Sequence, residues 1–524
     1  MSRQGLRAHA AHFAPTRLAL AGTLLTTTVL GASQAFATTP CASLASLKIP
    51  NTTITSASAV AATGSTPAYC NVLATVAPET DIQLQLPAKW QGRYLHLGGA
   101  GFDGTIPHTA PASYDLNLLA AGYAIGASNG GHRGAQYPGP TFAGNQQLVL
   151  GYAYTAIGDT DTVARGLIQA YYGRPASYRY FDGCSNGGKN ASVAASKFRQ
   201  DYDGVIGGDG VWGHADERVG GGDMAGLTAV WARVVNVTGT FNLATFPAKL
   251  TALYNAEVAK CDALDGIADG IISNPGKCSF DPAVLACPAN VDTPACLTPT
   301  ELTAVKTLQS DLLLNHEVIG PPYGVGNLVS GLSAVLGGGQ GLGQGFLAMA
   351  YNNPAFAISS FNLPRDFSFI SNQFGRVDDM SGSLFGVAKY VINGGKLIVW
   401  SGGEDPLVPT AGSVRFVERL REVVDDRSRD NVRLYTLPGV NHCGGGPGAD
   451  SIDLLTPISN WVESGIPPKN LIASKVNPAG AVTFTRPLCP FPQWAKYTGG
   501  NANSASSFTC VRLDGDDRRV GWDH

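Results

Sequence analysis

Residues 183–188, Gly-Cys-Ser-Asn-Gly-Gly, place a serine in the pattern Gly-x-Ser-x-Gly. An aromatic segment, residues 178–182, precedes this pattern, and a segment of small residues, 189–197, follows it. Their order predicts a buried strand, a sharp turn and a helix, which is the setting of a nucleophile elbow. In such a turn Ser185 adopts a positive φ, and the flanking glycines avoid clashes with neighbouring backbone. The chemistry would be attack of the Ser185 hydroxyl on a carbonyl carbon, and the alternative is an ordinary glycine-rich turn.

A carboxylate and a histidine follow the serine in the order that a hydrolase triad requires. Residues 396–400 predict a buried strand, and Asp405 lies in the loop just after it. Residues 432–437 predict the next strand, which leads to His442. Asp405 is therefore our candidate acid, with Glu404 as the alternative, and His442 is our candidate base.

A glycine-rich loop could supply the other half of this chemistry, the stabilisation of an oxyanion. Residues 93–97 predict a buried strand that runs into the loop 98–104, Gly-Gly-Ala-Gly-Phe-Asp-Gly. Bare backbone can approach a substrate closely enough to donate N–H groups to the oxyanion. The candidate donors are Gly101 in this loop and Asn186 at the start of the predicted helix, and the alternative is a flexible loop.

The elements around these residues alternate between helix and strand, as in a parallel α/β sheet. Residues 155–172 show helical periodicity directly before the strand that carries the serine. The alternation is lost between residues 212 and 383 and then resumes. We therefore predict an α/β-hydrolase catalytic domain, residues 38–211 and 384–524, with an inserted lid domain, residues 212–383.

Composition and charge limit the partners of the protein. The 524-residue chain has a formal net charge of −3, and only 14% of its residues are charged. There is consequently no electrostatic reason to expect binding to nucleic acid or to an anionic membrane. The amino-acid sequence does not predict an oligomeric state.

The first 37 residues have the features of an export signal. Basic residues precede an apolar run that begins at residue 18, and residues 35–37, Ala-Phe-Ala, offer a cleavage site. We interpret residues 1–37 as a secretory signal peptide, with a retained N-terminal anchor as the alternative. The mature protein is then expected to be secreted or periplasmic and free of the membrane.

Ten cysteines lie beyond this signal, an even number that suits disulfide formation in an oxidising compartment. The sequence alone does not determine their connectivity. Pairing of neighbours along the chain would give Cys41–Cys70, Cys261–Cys278, Cys287–Cys296 and Cys489–Cys510. This would leave Cys184, next to the candidate nucleophile, and Cys443, next to the candidate base, for each other. Such a bridge would hold two distant loops in register.

An acidic segment in the predicted lid, residues 261–272, contains three aspartates and two glycines. Hard cations such as Ca²⁺ require several oxygen ligands at once, and a glycine-containing loop can also turn backbone carbonyls inward. The spacing does not fit an EF-hand. From the residues alone, a calcium loop and an acidic turn both remain open.

Together, Cys184-Ser185, Asp405 and His442-Cys443 resemble the CS–D–HC signature of the tannase and feruloyl esterase family, which includes MHETase-like enzymes. The resemblance covers the chain from about Cys41 to Cys510. It implies an α/β-hydrolase fold with an inserted lid, and it also implies the neighbour pairing of the other cysteines. It further implies a structural Ca²⁺ in the lid, and the ligands would be Asp262, Asp265, Ile267, Asp269 and Ile271.

The resemblance implies a serine esterase that hydrolyses small aromatic carboxylic esters. Feruloyl or other hydroxycinnamoyl esters are our first choice, and galloyl esters or aromatic monoesters of the MHETase type are the alternatives. A hydrolase fold used only for binding is an alternative from another class. Five aromatic lid residues could line the site or form the lid core: Tyr323, Phe361, Phe367, Phe369 and Phe374. Arg365 or Arg376 could meet a substrate carboxylate or could be solvated.

Overall fold

A computed structural model describes residues 39–512 of the chain, apart from several short segments. The segments outside the description are 109–115, 137–138, 140, 214–222, 243, 325, 330–339, 354 and 377–379. The predicted signal peptide, residues 1–37, also lies outside the described residues. Among the helices that are described, none is both long enough and apolar enough to cross a membrane.

A nine-stranded mixed sheet forms the centre of the described structure. In spatial order its strands are β1 (Thr52–Val60), β2 (Tyr69–Val76), β3 (Thr80–Pro87), β5 (Tyr123–Ser128), β4 (Arg93–Leu97), β6 (Tyr178–Cys184), β7 (Gly204–Gly208), β10 (Lys396–Gly402) and β11 (Val432–Leu437). Strands β1, β2, β3 and β5 pair antiparallel, whereas β5, β4, β6, β7, β10 and β11 pair parallel. The carboxyl ends of the parallel strands therefore meet at one edge of the sheet, where α/β proteins build their sites.

Strand β10 shows how the parallel part of the sheet is buried on both faces. Leu397 and Val399 point into a core cluster shared with α-helices on one face, and Ile398 and Trp400 point into a cluster on the other face. All four side chains are at most 1% exposed. A parallel strand covered on both faces needs such a continuous apolar run, which is the pattern that predicted it.

Helices cover both faces of this sheet. Helix α2 (Ala156–Tyr172) packs against β3 and β5, and α3 (Asn186–Lys197) packs against β6 and β7. Helix α10 (Thr410–Val423) packs against β10 and β11, and α12 (Leu455–Ser464) packs against β6, β7 and β10. The remaining described helices of this part are α1 (Gln146–Leu150), α9 (Leu384–Ile392) and α11 (Asp426–Arg429).

The predicted secondary structure around the site is confirmed closely. The expected strand 93–97 is β4, the expected helix 155–172 is α2, and the expected strand 432–437 is β11. With its sheet order and its covering helices, the described structure has the predicted α/β-hydrolase fold.

A largely helical segment connects β7 to β10, which are neighbours in the sheet. Its described elements are α4 (Asp223–Thr238), α5 (Phe246–Cys261), α6 (Pro299–Leu308), β8 (Leu312–Leu314), β9 (Glu317–Gly320), α7 (Gln340–Tyr351) and α8 (Leu363–Gly375). Their apolar faces share one core cluster that also contains Phe102, from the loop after β4, and Tyr152, from a π-helical turn (Gly151–Thr155) between α1 and α2. This segment lies where the lid was predicted, and the domain boundaries at residues 212 and 383 remain a prediction.

Two antiparallel hairpins follow the last helix. They are formed by β12 (Leu471–Val476) with β13 (Val482–Leu488) and by β14 (Gln493–Tyr497) with β15 (Phe508–Arg512). Arg486 on β13 forms an ion pair with Asp269 of the acidic segment. The C-terminal hairpins thus contact the loop that was predicted to bind calcium.

Candidate active site

Ser185 lies at the turn between β6 and α3 with φ 64° and ψ −122°. Its backbone N–H donates to Gly208 O at 3.0 Å, which fixes the turn against the neighbouring strand. A Cβ on Gly183 would lie 2.6 Å from the Gly187 carbonyl carbon, and a Cβ on Gly187 would lie 2.8 Å from Gly99 O. Both contacts are too close, so the glycines of the pattern are required for the elbow geometry that the sequence predicted.

His442 joins this serine to a carboxylate. His442 Nε2 lies 2.7 Å from Ser185 Oγ, and His442 Nδ1 lies 2.8 Å from Asp405 Oδ2. Asp405 is fully buried, and its Oδ1 accepts backbone hydrogen bonds from Leu407 N at 2.7 Å and Val408 N at 3.0 Å. These two bonds fix the carboxylate, so that its other oxygen faces the imidazole.

Glu404, the alternative acid, lies elsewhere. It lines a separate small cavity with Gly326, Pro438 and Gly439. Burial there raises the pKa of Glu404 to about 7. The structure therefore brings Asp405 to His442 and gives Glu404 a different environment.

The charges around His442 favour its protonated form. Burial lowers the pKa of His442, but the charge and hydrogen bond of Asp405 and the charge of Asp209 oppose it, and the pKa rises to about 9. Asp405 thus stabilises the imidazolium that forms when His442 accepts a proton.

The two predicted oxyanion donors lie on the same cavity as Ser185 and His442. Asn186 is the first residue of α3, where a backbone N–H has no acceptor within the helix. Gly101 has φ 55°, and its carbonyl accepts a hydrogen bond from the Tyr152 hydroxyl at 3.2 Å. The donor assignment itself remains a prediction.

Buried charges that the sequence analysis missed support this loop. Asp103 accepts a hydrogen bond from Asn186 Nδ2, and it has φ 45°. Lys189 donates to Tyr152 O at 2.8 Å and lies 4.1 Å from the centre of the Tyr152 ring. Burial raises the pKa of Asp103 and lowers the pKa of Lys189, and the attraction between the two charges opposes both shifts. A lysine among the small residues of a buried helix was the signal that could have identified this pair.

The cysteine adjacent to the nucleophile bonds to the cysteine adjacent to the histidine. Cys184 and Cys443 form a disulfide with their Cα atoms 5.9 Å apart, across 259 residues of sequence. The predicted neighbour pairs are also confirmed: Cys41–Cys70, Cys261–Cys278, Cys287–Cys296 and Cys489–Cys510. No cysteine of the described chain is free.

A small cavity of about 30 Å³ lies over Ser185 and His442. Its other lining residues are Gly101, Tyr152, Asn186, Lys189, Val211, Met224, Leu227, Trp231, Leu342, Phe346, Leu407 and Val408. All five of the lining side chains that come from α4 and α7 are apolar, and two of them, Trp231 and Phe346, are aromatic. The helical segment between β7 and β10 thus forms the apolar side of the site.

The aromatic residues considered from the sequence lie elsewhere in that segment. Tyr323, Phe361, Phe367 and Phe374 are buried in its core, and Phe369 is 39% exposed and stacks on Tyr351. Neither arginine lines the cavity over Ser185. Arg365 pairs with Asp366, and Arg376 contacts Gln373. The five aromatic residues therefore do not line the cavity over Ser185. Its aromatic wall is formed by Tyr152, Trp231 and Phe346.

The acidic segment forms a turn in which the aspartates accept backbone hydrogen bonds. Asp262 accepts from Asp269 N and Gly270 N, Asp265 accepts from Ile267 N, and Asp269 accepts from Ile271 N. Asp265 Oδ2 is buried with no hydrogen-bond partner of acceptable geometry. Burial and the charges of Asp269 and Asp262 raise the pKa of Asp265 to about 6, although hydrogen bonds from Ser273 and Ile267 N oppose them.

This oxygen-rich donor set fits a hard cation chemically. The three carboxylates do not, however, offer three oxygens that all lie within 4.8 Å of one another. An ion would have to replace some of the backbone hydrogen bonds and compete with Arg486 for Asp269.

The sheet order, the serine on its strained turn and the hydrogen-bonded histidine and aspartate define an α/β-hydrolase. A sequence model of the family described as "Tannase and feruloyl esterase" matches residues 61–327 and 353–511. The chain belongs to this family, and it is accordingly a carboxylic ester hydrolase.

Similar proteins agree with this assignment. An uncharacterized esterase of Xanthomonas campestris pv. campestris is 30% identical over 94% of each chain. The mono(2-hydroxyethyl) terephthalate hydrolase of Piscinibacter sakaiensis is 28% identical over 87% of each chain. The crystal structure of feruloyl esterase B from Aspergillus oryzae is 23% identical, with a TM-score of 0.78 over 90% of this chain and 99% of that chain. The last likeness shows the shared fold.

Proposed function

We propose that the chain is an exported serine esterase that hydrolyses small aromatic carboxylic esters through an acyl-enzyme. Feruloyl and other hydroxycinnamoyl esters are the first substrate class. The observation that carries this proposal is the hydrogen-bonded chain from Ser185 Oγ through His442 to Asp405, at distances of 2.7 and 2.8 Å. These three hydrogen-bonded side chains lie beside a cavity with aromatic and apolar walls, which Ser185 and His442 help to line.

The proposed mechanism follows from these contacts. His442 Nε2 accepts the Ser185 proton as Oγ attacks the ester carbonyl carbon, and Asp405 holds the imidazole orientation and stabilises the imidazolium. Backbone N–H groups of Asn186 and Gly101 stabilise the oxyanion. His442 then protonates the leaving alcohol and deprotonates a water molecule, which releases the acid from Ser185.

The cavity wall supports the hydroxycinnamoyl class over its two alternatives. A galloyl group has three hydroxyls that need partners when buried, and the side chains from α4 and α7 that line the cavity offer few. A terephthalate monoester has a free carboxylate, for which a positively charged partner is expected. Among the described lining residues, the charged candidates are Lys189 and His442, and Asp103 and Asp405 already face them.

Export is supported by the five disulfides, which form and persist in oxidising compartments. Together with the N-terminal sequence pattern of residues 1–37, they support a secreted or periplasmic enzyme.

We further propose that the acidic segment binds a structural Ca²⁺. Asp262, Asp265 and Asp269 would supply carboxylate oxygens, and Ile267 and Ile271 would supply backbone carbonyls. The buried Asp265 Oδ2 accepts no hydrogen bond of acceptable geometry, and this supports a cation at this loop. The ion would neutralise the loop and stabilise it, and it would take no part in the ester chemistry.

The test is hydrolysis of methyl ferulate, methyl gallate and mono(2-hydroxyethyl) terephthalate by the mature protein and by Ser185→Ala. We expect methyl ferulate to be preferred and the activity to vanish in Ser185→Ala. A preference for one of the other esters would retain the mechanism and replace the substrate class. Loss of all activity together with failure of a fluorophosphonate to label Ser185 would contradict the serine mechanism.

A further inference from the structure

A second buried aspartate lies beside the candidate triad. Asp209 directly follows β7, the strand between β6, which carries Ser185, and β10, which precedes Asp405. It is fully buried and has φ 41°, and its N–H donates to Trp400 O at 3.0 Å. A non-glycine residue with positive φ, held by its neighbours, is a reason to look for a role at the site.

Asp209 connects the loop of the acid to the loop of the base. Its Oδ1 accepts a hydrogen bond from Gly402 N at 2.7 Å, and its Oδ2 accepts one from Cys443 N at 2.7 Å. Gly402 is the last residue of β10, three residues before Asp405, and Cys443 directly follows His442. One side chain thereby fixes the backbone on both sides of the His442–Asp405 contact.

Asp209 also places a second carboxylate near the imidazole. One carboxylate oxygen of Asp209, one carboxylate oxygen of Asp405 and one ring nitrogen of His442 all lie within 4.8 Å of one another. Burial and the charge of Asp405 raise the pKa of Asp209, whereas His442 and the two backbone N–H donors lower it. Among the described residues, Lys189 lies on the cavity over His442, and Tyr323, whose hydroxyl donates to Pro406 O, lies near Asp405. On balance the pKa of Asp209 is raised, to about 8. Because the charge of protonated His442 lowers this pKa, Asp209 gives up its proton more readily when the imidazole is protonated, and its carboxylate can then stabilise the imidazolium.

We propose that Asp209 is a positioning residue for the ester hydrolysis. It holds the His442 loop against the Asp405 loop and stabilises the imidazolium form of His442. Its substitution therefore affects the base itself as well as the stability of the fold. This inference rests on the proposed function, because it assigns Asp209 a role in activating Ser185.

The experiment measures the rate of Ser185 labelling by a fluorophosphonate as a function of pH, which requires no knowledge of the natural ester. We expect Asp209→Asn to slow labelling at least about tenfold and to shift the acidic limb of the profile down by about one pH unit. Asp161→Asn is the matched control, because Asp161 is a buried carboxylate paired with Arg165 on α2. The control should leave the acidic limb in place.

An unchanged acidic limb in Asp209→Asn would overturn the proposal, even if labelling were slower. If Asp209→Asn does not fold, Asp405→Asn provides the test. In that variant Asp209 still faces the imidazole, so NMR titration should give a His442 pKa at or above its ordinary value of 6.5, and a pKa lowered by burial would overturn the proposal.

Failure of the proposed function has a separate signature. If the wild-type protein is not labelled at all, the serine mechanism fails, and NMR titration of the His442 imidazole in Ser185→Ala decides the role of Asp209. A His442 pKa that is lower in Ser185→Ala/Asp209→Asn than in Ser185→Ala supports the role, and an equal pKa in the two variants overturns it.

Discussion

The disulfide between Cys184 and Cys443 joins the residues adjacent to Ser185 and His442, two side chains that lie 2.7 Å apart. Its Cα atoms are 5.9 Å apart, although 259 residues separate them in sequence. The covalent bond therefore constrains the same two loops whose separation determines the hydrogen bond from serine to histidine. This arrangement couples the geometry of the site to the oxidation state of one cysteine pair.

Replacement of both cysteines, in Cys184→Ser/Cys443→Ser, should reduce kcat by at least about tenfold, because small displacements of reacting groups are costly. It should also remove about 5 kcal/mol of stability by the chain-entropy estimate for so long a loop. Cys287→Ser/Cys296→Ser is the control, because that bridge closes a loop of only 9 residues. Kinetics and thermal melting would check this, and an equal loss of kcat in both variants would contradict it.

Hydrolysis should be fastest at alkaline pH. The raised pKa of His442, about 9, leaves most of the imidazole protonated at pH 7, and a protonated imidazole cannot accept the Ser185 proton. We expect kcat/KM to rise about tenfold per pH unit between pH 6 and pH 8 and to level off above pH 9. Asp405→Asn should shift this limb to lower pH, since it removes the largest attraction that raises the pKa. If kcat/KM of the wild type instead rose with a midpoint near pH 6.5, the prediction would be contradicted.

The raised pKa of His442 should also make the stability of the folded protein depend on pH. Because the folded-state pKa of His442 is above its ordinary value of 6.5, protonation of His442 stabilises the folded protein. This contribution is fully present below about pH 6.5 and is lost as the pH rises through about 9. The difference in melting temperature between wild type and His442→Ala should therefore shrink over that interval, and a constant difference would count against it.

The local geometry of the site could be predicted from the sequence because it depends on short patterns. The glycines around Ser185 are needed for a positive φ and for close backbone contacts, and both requirements are visible in six residues. Asp405 follows β10, which has a continuous apolar run, and His442 follows β11, in which apolar and polar residues are mixed. Both strands are parallel, and their carboxyl ends lie at the edge of the sheet where sites form.

The position of Asp103 and the residues of the cavity wall could not be predicted in this way. A Cβ on Gly99 would lie 2.3 Å from Asp103 Oδ2, so the position of Asp103 depends on a fit that appears only after folding. Phe346 and Phe374 are in contact and belong to the same core cluster, but Phe346 also lines the cavity whereas Phe374 does not. Both are apolar residues on lid helices, and an apolar residue at helical spacing does not reveal which surface it faces.

Calcium should stabilise the acidic segment. At an ion concentration about 100 times the dissociation constant, binding would add about 2.7 kcal/mol, which is about 3 °C for a chain of this length. Asp265→Asn should abolish the difference between melting in Ca²⁺ and in EGTA, and Asp281→Asn, an exposed lid aspartate at a helix start, should retain it. Identical melting of the wild type in both conditions would contradict the proposal.

The buried Lys189 should matter for catalysis through the loop that carries Gly101. Its amino group donates to Tyr152 O, and the Tyr152 hydroxyl donates to Gly101 O. Lys189→Met would leave Asp103 buried without its countercharge, at a cost of about 3–5 kcal/mol. We expect kcat to fall at least about tenfold, because the backbone near Ser185 loses a fixed support.

The matched control is Lys249→Met in the lid. Lys249 is also a buried lysine, and it pairs with Glu301 at 2.6 Å and Asp292 at 2.5 Å. Its loss should lower the melting temperature by a similar amount while kcat stays near the wild-type value. Asp103→Asn/Lys189→Met should recover part of the stability, because the second change removes the unpaired charge. If the two lysine variants lost kcat equally, the effect would belong to the fold, and the assignment of Lys189 to the oxyanion loop would be wrong.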